Sequence, residues 1–233
     1  MDIIDRGSGA ALVLVPGIQG RWEYVRPAVD VLAASARVLT FQLCGERRSE
    51  QRLDRARGLD QDVDQIVRVL EDRGIRRAVI CGVSFGGLIA LRFAAIHPNR
   101  TAGLILASTP GPTFQLSGRH QLYVRAPRLF GAAFLAESPL RLRREIAAAL
   151  PRWRERRRFL LWQMSTLVTA PLSIWRMASR AELIAKSDRA ADARLIKSPT
   201  LIITGERALD YIVPVGGTSE YLRLIEHVRA ATL

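Results

Sequence analysis

Cysteine is nearly absent: Cys44 and Cys81 are the only two in 233 residues. Two thiols cannot build the disulfide framework of a small secreted domain, and Cys81 falls in an apolar run, so a reduced, cytoplasmic setting is expected. No stretch combines the length and apolarity of a membrane span. The long uncharged run at residues 159–175 is interrupted by Gln163, Ser165, Thr166 and Pro171 and reads as a buried or cavity-lining helix. The N-terminal Met1-Asp-Ile-Ile-Asp5 lacks the basic and apolar regions of a signal peptide. Histidine is scarce, at three, and neither histidines nor cysteines cluster at ligand spacing, so no metal or cofactor is implied. Internal repeats and low-complexity segments are also missing.

What is present is apolar residue and arginine. Hydrophobic residues make up 48% of the chain, enough for a sizeable core and against disorder. The length suits one α/β domain with an insertion. The formal charge of +13 is mostly arginine, reads as spread along the chain, and lacks the aromatic-basic interleaving of a single-strand binder. A solvated surface is therefore expected, with no nucleic-acid partner.

One stretch organises the rest. The apolar run 78–81 meets Gly82-Val83-Ser84-Phe85-Gly86, and helix-forming residues follow. That is strand, sharp turn and helix, with a serine at the apex and small residues on both sides to let strand and helix approach. The competing reading is an ordinary glycine-rich turn. Around it, residues 10–15, 37–43 and 101–108 read as strands, and 22–34 and 60–72 as helices. In the second helix Val63, Ile66, Val67 and Leu70 fall on one stripe, Asp60 is the expected cap, and Gly74 ends it. This alternation predicts a mostly parallel α/β sheet covered by helices on both faces. From Pro110-Gly111-Pro112 the pattern changes. Residues 111–195 carry no strand-like run, and 141–150, 151–161 and 175–185 look helical. This segment reads as an all-helical cap inserted into a core of residues 1–110 and 196–233, or else as a plain packing layer. Residues 199–204 resume the sheet, 218–226 form a short helix with Tyr221, Leu222, Leu224 and Ile225 inward, and the last residues begin a further strand.

A serine hydroxyl needs a base, a carboxylate to orient that base, and N–H donors for the oxyanion of a tetrahedral intermediate. Phe85, the first helical residue after Ser84, and Ile18, in the loop after strand 10–15, can supply the donors. Asp210, leading into Tyr211-Ile-Val-Pro214, is preferred over Glu206 as the carboxylate, although a loop cap is its alternative reading. The base is harder to place. His97 closes the Ser84 helix and points away from the turn. His120 lies in the inserted segment beside nothing catalytic, and His227 precedes a strand where a base should follow one.

Leu12-Val-Leu-Val-Pro-Gly17, Cys81-Gly-Val-Ser-Phe-Gly-Gly87, Ala95-Ile-His-Pro-Asn-Arg-Thr101, Gly103-Leu-Ile-Leu-Ala-Ser108 and Pro199-Thr-Leu-Ile-Ile-Thr-Gly205 resemble, in order, the motifs of the α/β-hydrolase superfamily, in particular small capped bacterial esterases and lipases. The resemblance implies Ser84 as nucleophile, Asp210 as triad acid, Ile18 and Phe85 as oxyanion donors, and a small-molecule acyl substrate. Two departures stand out. Pro16-Gly17 replaces a common His-Gly, and the chain ends at Leu233, before the loop where relatives carry the catalytic histidine. A truncated sequence is the expectation. Serine at 84 argues against the dehalogenase and epoxide-hydrolase branches, whose chemistry needs a carboxylate. The alternatives are a non-catalytic ligand-binding protein on the same fold and, from the charge, a nucleic-acid or membrane-surface binder.

Overall fold

The computed structural model describes residues 2–49, 51–207 and 213–233, with backbone alone at 132–142. Seven strands form one sheet: β1 (Ile3–Arg6), β2 (Ala11–Val15), β3 (Arg37–Phe41), β4 (Ala78–Val83), β5 (Thr101–Ala107), β6 (Thr200–Thr204) and β7 (Val228–Thr232). Their spatial order is β1-β3-β2-β4-β5-β6-β7. Only β1 is antiparallel, pairing Ile3 with Phe41 and Arg6 with Val38; every other pair is parallel. The chain thus has the mostly parallel α/β sheet that its alternating pattern predicts.

Parallel strands need crossovers, and helices supply them. A 3-10 turn over Trp22–Val25 leads into α1 (Arg26–Leu32), with Pro27 in its first turn. Then come α2 (Asp60–Asp72) and α3 (Phe85–Ile96). The apolar stripe of α2 is buried at Val63, Ile66 and Leu70. Asp60 does not cap it. Leu59 holds the cap position without a side-chain bond, and the Asp60 carboxylate accepts from Arg92 Nε at 2.9 Å. An ion partner across the helix pair outcompetes the local backbone for that oxygen. Helix α3 is buried on nearly every side, as a helix under the centre of a sheet must be.

Between β5 and β6 the described residues form helices and no strand: α4 (Gly118–Arg125), α5 (Pro127–Ala149), α6 (Trp153–Thr169), α7 (Ile174–Lys186) and α8 (Arg189–Arg194). Helix α4 and the first half of α5 are absent from the sequence expectation, because Gly118, Pro127 and Gly131 obscure the period. After β6, α9 (Val215–Ser219) begins earlier than expected and runs into a 3-10 turn over Glu220–Arg223. Tyr221 and Ile225 are buried there, but Leu222 is 40% exposed, contrary to its expected inward place. The shorter 3-10 turn rotates it out of the stripe.

Two glycines set the closest approach in the core. A Cβ at Gly82 would strike the Gly86 carbonyl, and one at Gly86 would strike the carbonyls of Val15 and Pro16. Strand β4, helix α3 and the end of β2 therefore meet backbone to backbone. Gly86→Ala is expected to destabilise the fold by about 1–3 kcal/mol, since backbone cannot step aside. Gly118→Ala, where the added carbon meets open space, is the control and should be neutral. Urea unfolding midpoints of the two variants check this.

Candidate active site

Ser84 occupies the corner between β4 and α3 with φ 53° and ψ −120°. A non-glycine residue rarely adopts such angles, at a cost on the order of 1–3 kcal/mol. The corner is held from both sides: the Ser84 N–H donates to Ala107 O of β5 at 2.8 Å, and the Ser84 carbonyl accepts from the Gly87 N–H at 2.9 Å. The side chain is half-buried and faces a cavity of about 130 Å³. Phe85 is the first residue of α3, so its N–H has no intrahelical acceptor. Ile18, in the loop after β2, lines the same cavity as Ser84 and Phe85. Gly17 lies beside the serine: a Cβ there would sit 3.7 Å from the Ser84 Cβ. Asp210 lies outside the described residues. The loop that carries it leaves the sheet after Thr204, at the edge where Ser84 leaves β4, and returns to the cavity wall at Val213.

The histidines separate cleanly. His97 caps the far end of α3, 12 residues or about 18 Å of helix from the serine. Burial lowers its pKa. His227 immediately precedes β7, and its carbonyl accepts from Thr200 N–H at the start of β6. That is the edge of the parallel sheet opposite to Ser84, so His227 cannot serve the serine. His120 is the one that sequence reasoning set aside. It lines the serine cavity from α4, with Nδ1 2.7 Å from Ser117 Oγ and its ring edge-on to Tyr123. No signal in the local sequence marks it, because the meeting depends on how a helix 36 residues downstream lies over the sheet. Among the described residues no group of histidines, cysteines and acids could hold a metal ion. Burial keeps both cysteines protonated, Cys81 being pushed up to about 12.

The Ile18 loop is tied to α7 by a buried guanidinium. Arg180 is wholly buried and donates to Glu46 Oε1 at 3.0 Å, to Ile18 O at 3.1 Å and to Cys44 O at 2.9 Å. Arg176 donates to the other oxygen of Glu46 at 3.1 Å. Gly20, at φ 72°, leaves room for the guanidinium, which a Cβ there would strike. Beside this cluster the buried Asp62 accepts from the Cys44 N–H at 3.0 Å. Burial pushes its pKa up to about 6, against the Cys44 hydrogen bond and the Arg180 charge, which pull it down.

The fold and this corner are those of an α/β-sheet protein with a serine on the strand-helix turn. The chain belongs to the alpha/beta hydrolase family, whose model matches residues 12–217. It is 35% identical over 117 residues to a 2-hydroxymuconate semialdehyde hydrolase of Pseudomonas sp. (strain CF600), covering 48% of this chain and 41% of that protein. It is 28% identical over 215 residues to a pimeloyl-[acyl-carrier protein] methyl ester esterase of Nitrosomonas europaea, covering 90% and 81%. The matches to several curated relatives span less than half of their length, 41% for the Pseudomonas hydrolase and 29% for an epoxide hydrolase B of Mycobacterium tuberculosis. Among solved structures, an alpha/beta hydrolase from a Medee basin deep-sea metagenome superposes with a TM-score of 0.78 at 21% identity, covering 100% of this chain and 85% of that one. An enol-lactonase from Burkholderia xenovorans gives 0.75 at 22%, covering 100% and 87%.

Asp62 makes stability depend on pH. Its folded pKa, about 6, stands above an unfolded value near 3.8. The folded state therefore holds the proton more tightly, and the stability this contributes is complete below pH 4 and lost as pH rises through 6. Asp62→Asn, which keeps an acceptor for the Cys44 N–H, is expected to be more stable than the native chain at pH 7 by roughly 2–3 kcal/mol, with the difference closing at pH 4. Denaturant unfolding at the two pH values measures it.

Proposed function

We propose that this chain is a serine hydrolase that cleaves a small carboxylic ester or related acyl compound through an acyl-Ser84 intermediate. The observation that carries this reading is the strained serine, held at φ 53° on a corner that opens into an apolar cavity. Strain of this kind persists where a side chain must be presented to a ligand. Ser84 Oγ attacks the acyl carbon, and the alcohol leaves with a proton. Water then attacks the acyl-serine and releases the acid. The Phe85 and Ile18 N–H groups receive the oxyanion in both steps, worth about 3 kcal/mol for each donor. Asp210, on the loop that reaches the cavity at Val213, fills the acid role. The relative named a methyl ester esterase acts on an ester by its name, and the other is named a hydrolase, which supports the class.

The proton acceptor assigned within these residues is His120. When its Nδ1–H donates to Ser117 Oγ, Nε2 is the basic ring atom. A cavity near 130 Å³ takes a group about the size of benzene, so short acyl chains are the preferred substrates. The helical segment closes this cavity from above with α4 and α7 and acts as the cap that selects among them. Serine at 84 cannot form the carboxylate ester that epoxide opening requires, which separates this reading from the relative named epoxide hydrolase B.

Hydrolysis of p-nitrophenyl acetate and butyrate tests the proposal. Ser84→Ala is expected to lower kcat/KM at least about a thousandfold with unchanged far-ultraviolet dichroism. An unchanged rate removes Ser84 from the chemistry and leaves a ligand-binding protein on a hydrolase fold. His120→Ala is expected to lower kcat about a hundredfold or more with KM little changed, and to abolish the acidic limb of the pH–rate profile. A retained limb places the base elsewhere.

A further inference from the structure

Helix α6 is amphipathic in the wrong direction. Phe159, Trp162, Gln163 and Thr166 face inward, while Trp153, Leu160, Leu161, Met164, Leu167 and Val168 face out, with 61%, 47%, 60%, 61%, 40% and 80% of their surface exposed. At 100° per residue these outer positions share one sector of the helix, unbroken from Leu160 to Val168, with Arg157 between them and Trp153. A single exposed leucine means nothing, but an aligned row of six large apolar side chains is the mark of an interaction site.

Charge lies beside the stripe. Residues 152–158 hold five arginines and one glutamate, and 159–169 hold no charge at all. Residues 141–158 together hold eight arginines and two glutamates, so nearly half of the +13 charge sits in this short stretch. Arginines occur all along the chain, but those of the core are matched by carboxylates, as Arg37 and Arg73 are by Asp5 and Arg92 by Asp60 and Asp192. The arginines of α6 also crowd the positive end of the helix dipole, where they cost helix stability. Exposed Arg154 and Arg157 stack over the Trp153 ring, at 5.7 and 5.8 Å from its centre.

We propose that the outer face of α6 docks onto an anionic phospholipid surface. The stripe enters the acyl boundary, Trp153 sits at the headgroup level, and Arg154, Arg157 and Arg158 reach the phosphates with their methylene stems along the apolar face. The anionic surface neutralises the charge that the dipole opposes. Two alternatives fit less well. A second copy would bring two chains of +13 together through their most basic faces, and a nucleic acid offers nothing to a row of Leu, Met and Val. No helix among the described residues is long and apolar enough to cross a membrane, so the contact is peripheral. The inference is independent of the reaction assigned to Ser84.

Flotation of the whole chain with vesicles tests it, using phosphatidylcholine alone or mixed equally with phosphatidylglycerol. Binding is expected to the mixed vesicles and to fall with added salt. Replacing Arg154, Arg157 and Arg158 together by Gln is expected to weaken it about a hundredfold. Replacing Leu161, Met164 and Val168 together by Ser should weaken it by a similar factor. All six side chains are exposed, and unchanged far-ultraviolet dichroism confirms that both variants fold. Ser84→Ala should bind like the native chain. No flotation with the mixed vesicles, or flotation of both triple variants equal to that of the native chain, overturns the proposal. So does a dimer in size-exclusion chromatography that the serine variant dissociates, or heparin binding that the serine variant retains while vesicle binding is absent.

Discussion

A guanidinium buried between two parts of the chain governs the geometry of the site. Arg180 belongs to α7, yet its donors end on Ile18, Cys44 and Glu46, all from loops at the edge of the sheet. A buried ion pair is weak evidence for stability, because desolvation offsets most of the attraction. Its value is directional. The planar fork satisfies two backbone carbonyls and a carboxylate at fixed angles, so the Ile18 loop and α7 can meet in only one way. Ile18 lines the serine cavity on one side and Met177 and Ala181 of α7 on the other. The shape of that cavity is therefore set by a polar contact outside it. Arg189 repeats the device at the other end of the segment, donating to Pro112 O at 3.0 Å and Phe114 O at 2.9 Å.

The strained serine depends on the same logic from below. Positive φ at residue 84 is tolerable because its two neighbouring peptide groups are locked, one to β5 and one to α3. Glycine at 82 and 86 then lets the end of β2 close against the first turn of α3. That contact brings the Ile18 loop alongside the Ser84 corner. Strand, turn and helix fix one half of the site, and the guanidinium fixes the other.

This division explains what the sequence made legible. The corner is written in adjacent residues: a β-branched run, two glycines and a helix-forming stretch leave few conformations for Ser84. The parallel sheet is written in apolar runs at regular spacing. Helix α2 is read to the residue, because Val63, Ile66 and Leu70 recur at one face and Gly74, at φ 63°, stops it. What stays hidden is whatever depends on distant pairs. Arg180 and Glu46 are 134 positions apart, and neither carries a mark that separates it from the other charges. Asp60 looks like a cap because the local rule holds only when no partner competes, and Arg92 competes from the next helix. His120 looks idle in a charged, weakly periodic segment, and becomes notable only once α4 is laid over the sheet.

Electrostatics separates the two halves of the chain in the same way. In the core, cations and carboxylates are interleaved closely enough to pair, as Arg100 with Glu71 at 3.2 Å and Arg57 with Asp64 at 2.6 Å. Such exposed pairs contribute little stability one by one, but they leave the core surface without a strong field. In the helical segment the acids run out before the arginines do. A field then accumulates at one face, and the face also carries apolar side chains that a solvated helix would not retain. Folding alone explains neither feature: apolar residues pointing outward gain nothing from the core, and guanidinium groups at a helix N-terminus oppose the backbone dipole. Two independent costs at the same four turns of helix are best understood through a surface that relieves both at once.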